Sequence, residues 1–262
     1  MKHLNKHKSV IFKKSKKDSF FIFLDFDGTL VPIRKNPAQV RLAKRTKNIL
    51  KRLADKDNMN IAVVSGRELD DIKKKIALGN IIYVGNHGFE ISGPDVDFIL
   101  PAAKKAEKWL KVVKEKLREQ LTGFKGVIIE DKKFSLSVHY RMAGRMKTAQ
   151  IVEIISSVTA PYLRKHKIRL TKGKKVREIR PPVNWNKGRA VEKILKLGRK
   201  RTGRKRIPLC IGDDRTDEDI FRLLKNRGYT VKVVKKPDKT SSAEYYLRNT
   251  GEVKEFLSKL AL

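Results

Sequence analysis

The sequence predicts an α/β protein: a Rossmann-like parallel sheet with a second α/β domain inserted into it. Three observations carry that prediction. Short, continuously apolar runs alternate with amphipathic helical patterns through residues 18–94 and again through 182–262; between them, at 95–181, the alternation gives way to a helix-strand-strand order. Acidic clusters follow two of the apolar runs, in a chain that is otherwise strongly basic. Apolar runs without alternation suit strands covered on both faces, the usual condition of a parallel sheet.

Taken in order, residues 1–17 hold seven lysines and no acid and read as a mobile basic tail. The run 20–24 is the first buried strand. A helix is expected over 38–54, where Val40, Ala43, Ile49, Leu50 and Leu53 fall near helical spacing. A strand at 61–64, a helix over 67–76 and a strand at 81–84 continue the parallel beat, and Gly93-Pro94 closes it. A long Lys-rich helix is predicted over 102–121, with Ala106, Trp109, Leu110, Val113, Leu117 and Leu121 on one stripe. Strands at 126–130 and 134–141, a helix over 147–158, and strands at 168–171 and 175–180 suggest a separate antiparallel sheet backed by helices. Pro181-Pro182 marks the return. There follow a helix over 187–197, a basic linker at 198–206, a strand at 207–211, a helix over 217–224 and a strand at 229–234.

Lys and Arg number 63 against 28 Asp and Glu, a formal charge of +35, while 40% hydrophobic residues leave enough apolar surface for a core. No apolar run approaches the ~20 residues of a membrane-spanning helix. Only 10–12 could serve as the apolar part of a secretory signal before Lys13 interrupts it. A soluble, cytoplasmic protein is expected. The single cysteine, Cys210, lies inside the run 207–211, which excludes an internal disulfide framework and fits a buried, inert thiol. Such a charge invites a nucleic-acid partner. Against it, the cations are spread along the whole chain, and neither an aromatic RNA-binding signature nor zinc-finger spacing accompanies them.

The acids are more informative than the cations. Asp25-Phe-Asp27-Gly28-Thr29 follows the first buried strand, and Gly212-Asp213-Asp214-Arg-Thr216-Asp217-Glu218-Asp219 follows the strand at 207–211; together they hold 7 of the 28 acids. Ligands of open parallel sheets bind beyond the carboxyl ends of the strands, where both clusters fall. Gathered carboxylates need an offsetting charge, and oxygen ligands at two or three positions are what Mg²⁺ accepts. Blander readings accompany each piece. Asp-Gly is also a turn signal, and Thr216 with Asp219 looks like a helix cap with an acidic first turn. Ser65-Gly66-Arg67-Glu68, at a third strand end, reads both as a capping box and as a phosphate-binding helix N-terminus. Lys187 opens a helix, where the dipole opposes a cation, so it needs another partner, such as carboxylates or a bound phosphate.

Asp25-x-Asp27-Gly28-Thr29, Ser65, Lys187 and Gly212-Asp213-Asp214, in that order, resemble the four motifs of the haloacid dehalogenase superfamily of phosphatases. The inserted segment 95–181 resembles the α/β (C2-type) cap of its sugar-phosphate branch. Gly85-Asn-His87-Gly88, Val138-His139-Tyr140-Arg141, Val176-Arg-Glu178-Ile-Arg180-Pro181 and the eight-residue acidic motif are similar to segments of trehalose-6-phosphate phosphatases. The resemblance runs from about residue 18 to the C-terminus; one departure is Asn86, where family members often have Glu.

The resemblance implies a Mg²⁺-dependent phosphatase acting on trehalose 6-phosphate through an aspartyl-phosphate. Asp25 would be the nucleophile and Asp27 the general acid and base. Asp25, the backbone carbonyl of Asp27, and Asp213 would hold the metal, supported by Asp214 or Asp217. Ser65, Gly66 and Lys187 would bind the phosphoryl oxygens together with Asp25 and Asp27. His87, His139, Arg141 and Glu178 would contact the sugar. Strand alternation puts Ser135, Ser137, His139 and Arg141 on one face, which suits a sugar pocket or a solvated face, and Glu178 could instead pair with a neighbouring cation. Other sugar phosphates, mannosyl-3-phosphoglycerate or sucrose phosphate, are alternative substrates of the same chemistry, and a trehalose-6-phosphate synthase is the implied pathway partner.

Overall fold

The computed structural model describes residues 1–34, 39–144, 146–173, 175–198 and 206–262. Residues 199–205 of the expected linker, and Ala38 at the start of an expected helix, lie outside them. The chain divides into two compact units, Met1–Phe98 with Trp185–Leu262, and Ile99–Asn184.

The first unit opens with β1 (Lys2–His3) and α1 (Lys8–Ser15). It continues through β2 (Ser19–Leu24), α2 (Lys44–Ala54), β3 (Met59–Val64), α3 (Leu69–Ile76), β4 (Ile82–Gly85), β5 (Glu90–Gly93) and β6 (Val96–Ile99). The second unit contains α4 (Pro101–Leu121), β7 (Ile128–Asp131), β8 (Leu136–His139), α5 (Thr148–Arg164), β9 (Arg169–Gly173) and β10 (Val176–Arg180). The chain then returns to the first unit with α6 (Lys187–Gly198), β11 (Arg206–Gly212), α7 (Glu218–Leu224), β12 (Tyr229–Val233), β13 (Tyr245–Leu247) and α8 (Thr250–Leu260).

The large sheet has the order β1-β13-β12-β11-β2-β3-β4-β5-β6. Every pair from β1 through β4 is parallel, and β5 turns back antiparallel on β4. From β2 the chain moves out one way through β3 and β4, and from β11 the other way through β12 and β13. Their neighbouring carboxyl ends are therefore a topological switch point, the place where such sheets bind ligands. β2 shows why its sequence is apolar without a break. Phe20, Ile22 and Leu24 enter one core with α2, α3 and α8, while Phe21 and Phe23 enter another with α6 and α7. Each such side chain contributes roughly 1.5–3 kcal/mol by leaving water. Cys210 sits in the second core, buried as expected, and burial pushes its thiol well above the ordinary range.

Three local expectations are corrected. Residues 1–17 are not a mobile tail: β1 pairs with β13, Leu4 and Ile11 are buried, and Phe12 stacks on Phe256 at 5.6 Å. Those apolar side chains dock the segment while most of its lysines stay exposed. The inserted unit begins at Ile99, later than residue 95, because β5 and β6 extend the core sheet past Gly93-Pro94. The helix expected from 38 starts at Lys44, since Val40 is buried outside any helix.

In the second unit the sheet order is β7-β8-β10-β9, antiparallel throughout. Leu136, Val138 and Tyr140 face its core with α4 and α5. Ser137 and Glu178 are directly opposed across β8 and β10. No helix among the described residues is long and apolar enough to cross a membrane.

Candidate active site

Asp25 is the first residue past β2, and its backbone N–H still donates to Ile211 O of the adjacent β11 at 2.9 Å. The strand ladder thus fixes it before the chain turns. The turn is tight: Gly28 N–H donates to Val31 O at 2.7 Å. Gly28 has φ +90°, and a Cβ there would lie 2.2 Å from Asp213 Oδ2. Only glycine serves at that position, because a side chain would both strain the backbone and displace the Asp213 carboxylate. The two acidic loops read from the sequence do meet.

Lys187, the first residue of α6, is buried at the centre of the meeting point, with its side chain 2% exposed. Its ammonium donates to Asp25 Oδ1 at 2.7 Å and Asp217 Oδ1 at 2.8 Å. The dipole-opposed cation has found carboxylate partners. Burial alone would strip its proton, but the charges of Asp217 and Asp25 outweigh burial and hold Lys187 charged. Asp217 is wholly buried and also organises the loop, since its Oδ2 accepts from the N–H groups of Asp213 and Asp214 at 3.0 and 3.1 Å. Asp214 Oδ1 in turn accepts from the Thr216 hydroxyl and N–H and from the Asp217 N–H. The helix cap expected at Thr216 is therefore absent: Asp217 is the cap residue of α7, and Thr216 is tied to Asp214.

Asp25, Asp213 and Asp217 each place one carboxylate oxygen within 4.8 Å of the others. Burial raises the Asp25 carboxyl well above its usual range despite Lys187, and the neighbouring acids add to the rise. Burial, with the charges of Asp214 and Asp217, pushes Asp213 up to about 7, and burial, against Lys187, pushes Asp217 up to about 6. Asp213 Oδ1 is buried and makes no hydrogen bond among the described residues. Three convergent oxygen donors, crowded charge and an unsatisfied oxygen together fit a hard divalent cation.

Ser65, buried at the end of β3, accepts from the Arg67 N–H at 3.1 Å through Oγ. Glu68, not Ser65, occupies the cap position of α3, so the expected capping box does not form. Gly66 lies beneath the His87 imidazole, where a Cβ would come within 2.4 Å of Cε1. The His87 N–H donates to Ser65 O at 3.0 Å, which couples the two loops. Asn86 is buried and donates to Glu90 Oε2 at 2.7 Å, within the unit's own hydrogen bonding.

Arg67 is one residue that sequence reasoning missed. Its Nε and Nη2 donate to Asp27 Oδ2 and Oδ1 at 2.6 and 2.8 Å, and its Nη1 donates to Asp71 Oδ2 at 2.9 Å. The signal existed: like Lys187, Arg67 is a cation beside a helix N-terminus, where the dipole disfavours it.

The second unit gathers its own polar cluster. Lys132 Nζ donates to Ser137 Oγ at 3.0 Å and lies 3.4 Å from Glu130 Oε2 and 3.9 Å from Glu178 Oε1. His139 Nε2 is 3.0 Å from Glu130 Oε2, and Arg180 pairs with Glu178 Oε2. Burial opposes ionisation of Glu130, but His139 and Lys132 outweigh it and lower its proton affinity. Of the expected sugar contacts, Glu178 and His139 belong to this cluster, whereas Arg141 lies exposed in the turn after β8. Glu130 and Lys132 were not anticipated.

An aspartate of an acidic triad is thus ion-paired to a buried lysine at the switch point of a parallel sheet, and the comparisons with known proteins place that sheet among phosphatases of the haloacid dehalogenase fold. The trehalose-phosphatase family model matches residues 23–250. Probable trehalose-phosphate phosphatase D of Arabidopsis thaliana is 35% identical over 95% of this chain and 69% of its own length. Trehalose 6-phosphate phosphatase RA3 of Zea mays is 37% identical over 92% of this chain and 69% of its own. The solved C-terminal domain of C. albicans trehalose-6-phosphate phosphatase superposes with a TM-score of 0.80 at 25% identity, covering 99% of this chain and 98% of that one. The chain belongs to the trehalose-phosphatase family.

Proposed function

We propose that the protein is a Mg²⁺-dependent phosphatase that hydrolyses trehalose 6-phosphate to trehalose and inorganic phosphate through an aspartyl-phosphate on Asp25. The observation that carries this reading is Asp25 itself: a carboxylate at the switch point, clamped by Lys187, within a triad of acids. Family membership supports the substrate.

Phosphate monoesters resist attack because their anionic oxygens repel a nucleophile, so positioning and charge neutralisation make up most of the catalysis. In the first step an Asp25 carboxylate oxygen bonds to phosphorus and the bond from phosphorus to the sugar oxygen breaks. Asp27 delivers the proton that the leaving alkoxide needs. In the second step Asp27 takes a proton from water as the water oxygen bonds to phosphorus, and the acyl-phosphate bond breaks to restore the Asp25 carboxylate. Lys187 fixes the Asp25 carboxylate and brings a positive charge beside the transferring group. Ser65 and the N–H groups near Gly66 bind phosphoryl oxygens. Mg²⁺, held by Asp25, Asp213 and the carbonyl of Asp27 with Asp217 alongside, would neutralise charge on the phosphoryl group.

Selection of the sugar is assigned to the second unit, acting as the cap. Its Glu130–Lys132–Ser137–His139–Glu178–Arg180 cluster offers both donors and acceptors to hydroxyl groups. A synthase that makes the sugar phosphate is the natural upstream partner. Phosphate release from a panel of sugar phosphates, with Mg²⁺ and with chelator, tests the proposal. Trehalose 6-phosphate should give the highest kcat/KM, and chelator should abolish turnover; faster hydrolysis of sucrose phosphate or mannosyl-3-phosphoglycerate would overturn the substrate assignment alone.

A further inference from the structure

We propose, on the strength of the reaction proposed above, that Arg67 is a positioning residue: a fixed guanidinium dock that orients the Asp27 carboxyl group, protonated when it acts as general acid, for proton transfer to the leaving sugar oxygen. Both Asp27 oxygens are taken by one fork, Nε on Oδ2 at 2.6 Å and Nη2 on Oδ1 at 2.8 Å. A planar two-point pair of this kind sets the rotation of the carboxylate as well as its position. A lysine would set neither.

The asymmetry of the pair says which partner is the anchor. The Arg67 side chain is 9% exposed and that of Asp27 is 35% exposed. Arg67 is held from two further directions: Nη1 donates to Asp71 Oδ2 at 2.9 Å, and the guanidinium lies 5.5 Å from the centre of the Phe26 ring. Asp71 is itself steadied by Lys75, 3.4 Å from its other oxygen. Arg67 also begins where Ser65 leaves off, since its N–H is bonded to Ser65 Oγ. One short segment, 65–67, thus joins the expected phosphate-binding serine to the expected proton donor. Asp27, by contrast, sits in the glycine-containing turn 25–31, where its own two side-chain torsions would otherwise be free to wander. The fork removes that freedom, and misplacement by about 1 Å is enough to cost roughly 100-fold in rate.

A residue that acts through the proton donor should matter only where the leaving group needs a proton. Trehalose 6-phosphate departs as a basic alkoxide, whereas 4-nitrophenyl phosphate departs as a stable phenolate that needs no acid. Arg67→Lys and Arg67→Ala are compared with wild type on both substrates. On trehalose 6-phosphate, kcat should fall about 100-fold, the low end of the ~10²–10⁴ that general acid-base catalysis supplies, with KM shifted by no more than about threefold. On 4-nitrophenyl phosphate the first-turnover burst of nitrophenolate should stay within about threefold of wild type, which also shows that the variants are folded and can form the phosphoenzyme. In an Asp27→Asn background the same Arg67 substitutions should add no further loss on trehalose 6-phosphate.

Equal losses on the two substrates, or a full additional loss in the Asp27→Asn background, would overturn the assignment of Arg67 to Asp27. A wild-type enzyme that turns over a different sugar phosphate would remove the proposed substrate and leave the Arg67 comparison intact on that other ester. An Asp25→Asn variant that keeps its nitrophenolate release would remove the underlying reaction and Arg67's role with it.

Discussion

Two clusters of charged side chains, one in each unit, are built in opposite ways. In the first unit a single ammonium, Lys187, is 2% exposed and shared by two carboxylates that are 8% and 0% exposed. In the second unit Lys132, Arg180, His139, Glu130 and Glu178 are exposed by 11–37% and linked by overlapping pairs, so Lys132, Glu130 and Glu178 each have more than one partner. A dry ammonium held between two buried carboxylates keeps one geometry and tolerates no loss. A half-solvated network can exchange one contact for another, as a surface that reads hydroxyl groups needs to do. Under the proposed mechanism, reaction chemistry falls to the first and selectivity to the second.

The contrast can be broken by substituting one lysine in each. Lys187→Met leaves Asp25 and Asp217 as uncompensated buried charges, and chemical denaturation should show a loss of about 3–5 kcal/mol together with loss of turnover. Lys132→Met should cost no more than about 1 kcal/mol, because Glu130 and Glu178 stay partly solvated and keep His139 and Arg180 as their other partners. Comparable losses at both positions would dissolve the distinction.

A smaller effect is expected at Gly28. Alanine there meets Asp213 Oδ2 at 2.2 Å and adopts φ +90°, and that strain costs about 1–3 kcal/mol. Its mark should be in metal dependence: the Mg²⁺ concentration that gives half-maximal activity should rise as Asp213 is displaced, and an unchanged metal response would separate the two loops functionally. The smallest effect belongs to Glu178→Gln. Removing one ionised acceptor from a redundant network should raise KM for trehalose 6-phosphate by about 2- to 10-fold with kcat nearly unchanged. A fall in kcat with KM constant would move Glu178 from recognition into chemistry.

What could be read from the chain follows from how each feature is buried. β2 and β11 were legible because two-sided burial writes an unbroken apolar run, and the acids at their ends stood out against so many cations. The β5-β6 hairpin was missed because half-buried four-residue strands leave only a brief alternation around Pro94-Asp95. The N-terminal segment was misread because lysine content masked the two or three apolar side chains that dock it. Both expected capping motifs failed for one reason. Ser65 and Thr216 bond within the site loops, and such pairings depend on how the chain turns beyond the strand. Arg67 and Lys132 went unnoticed because, among 63 basic residues, one more cation carries almost no information until its partners are known. The +35 charge itself is spread over both units and is a diffuse property that can steer an anionic substrate.

The central claim is that Asp25 carries the phosphoryl group between substrate and water. Wild-type protein mixed with phosphoryl-labelled trehalose 6-phosphate and Mg²⁺, quenched in acid within the first turnover and digested, should yield label on the peptide that contains Asp25. That label should be lost on treatment with hydroxylamine and should be missing from Asp25→Asn. Release of labelled phosphate with no labelled peptide at any time, or label on a peptide that lacks Asp25, would contradict the account.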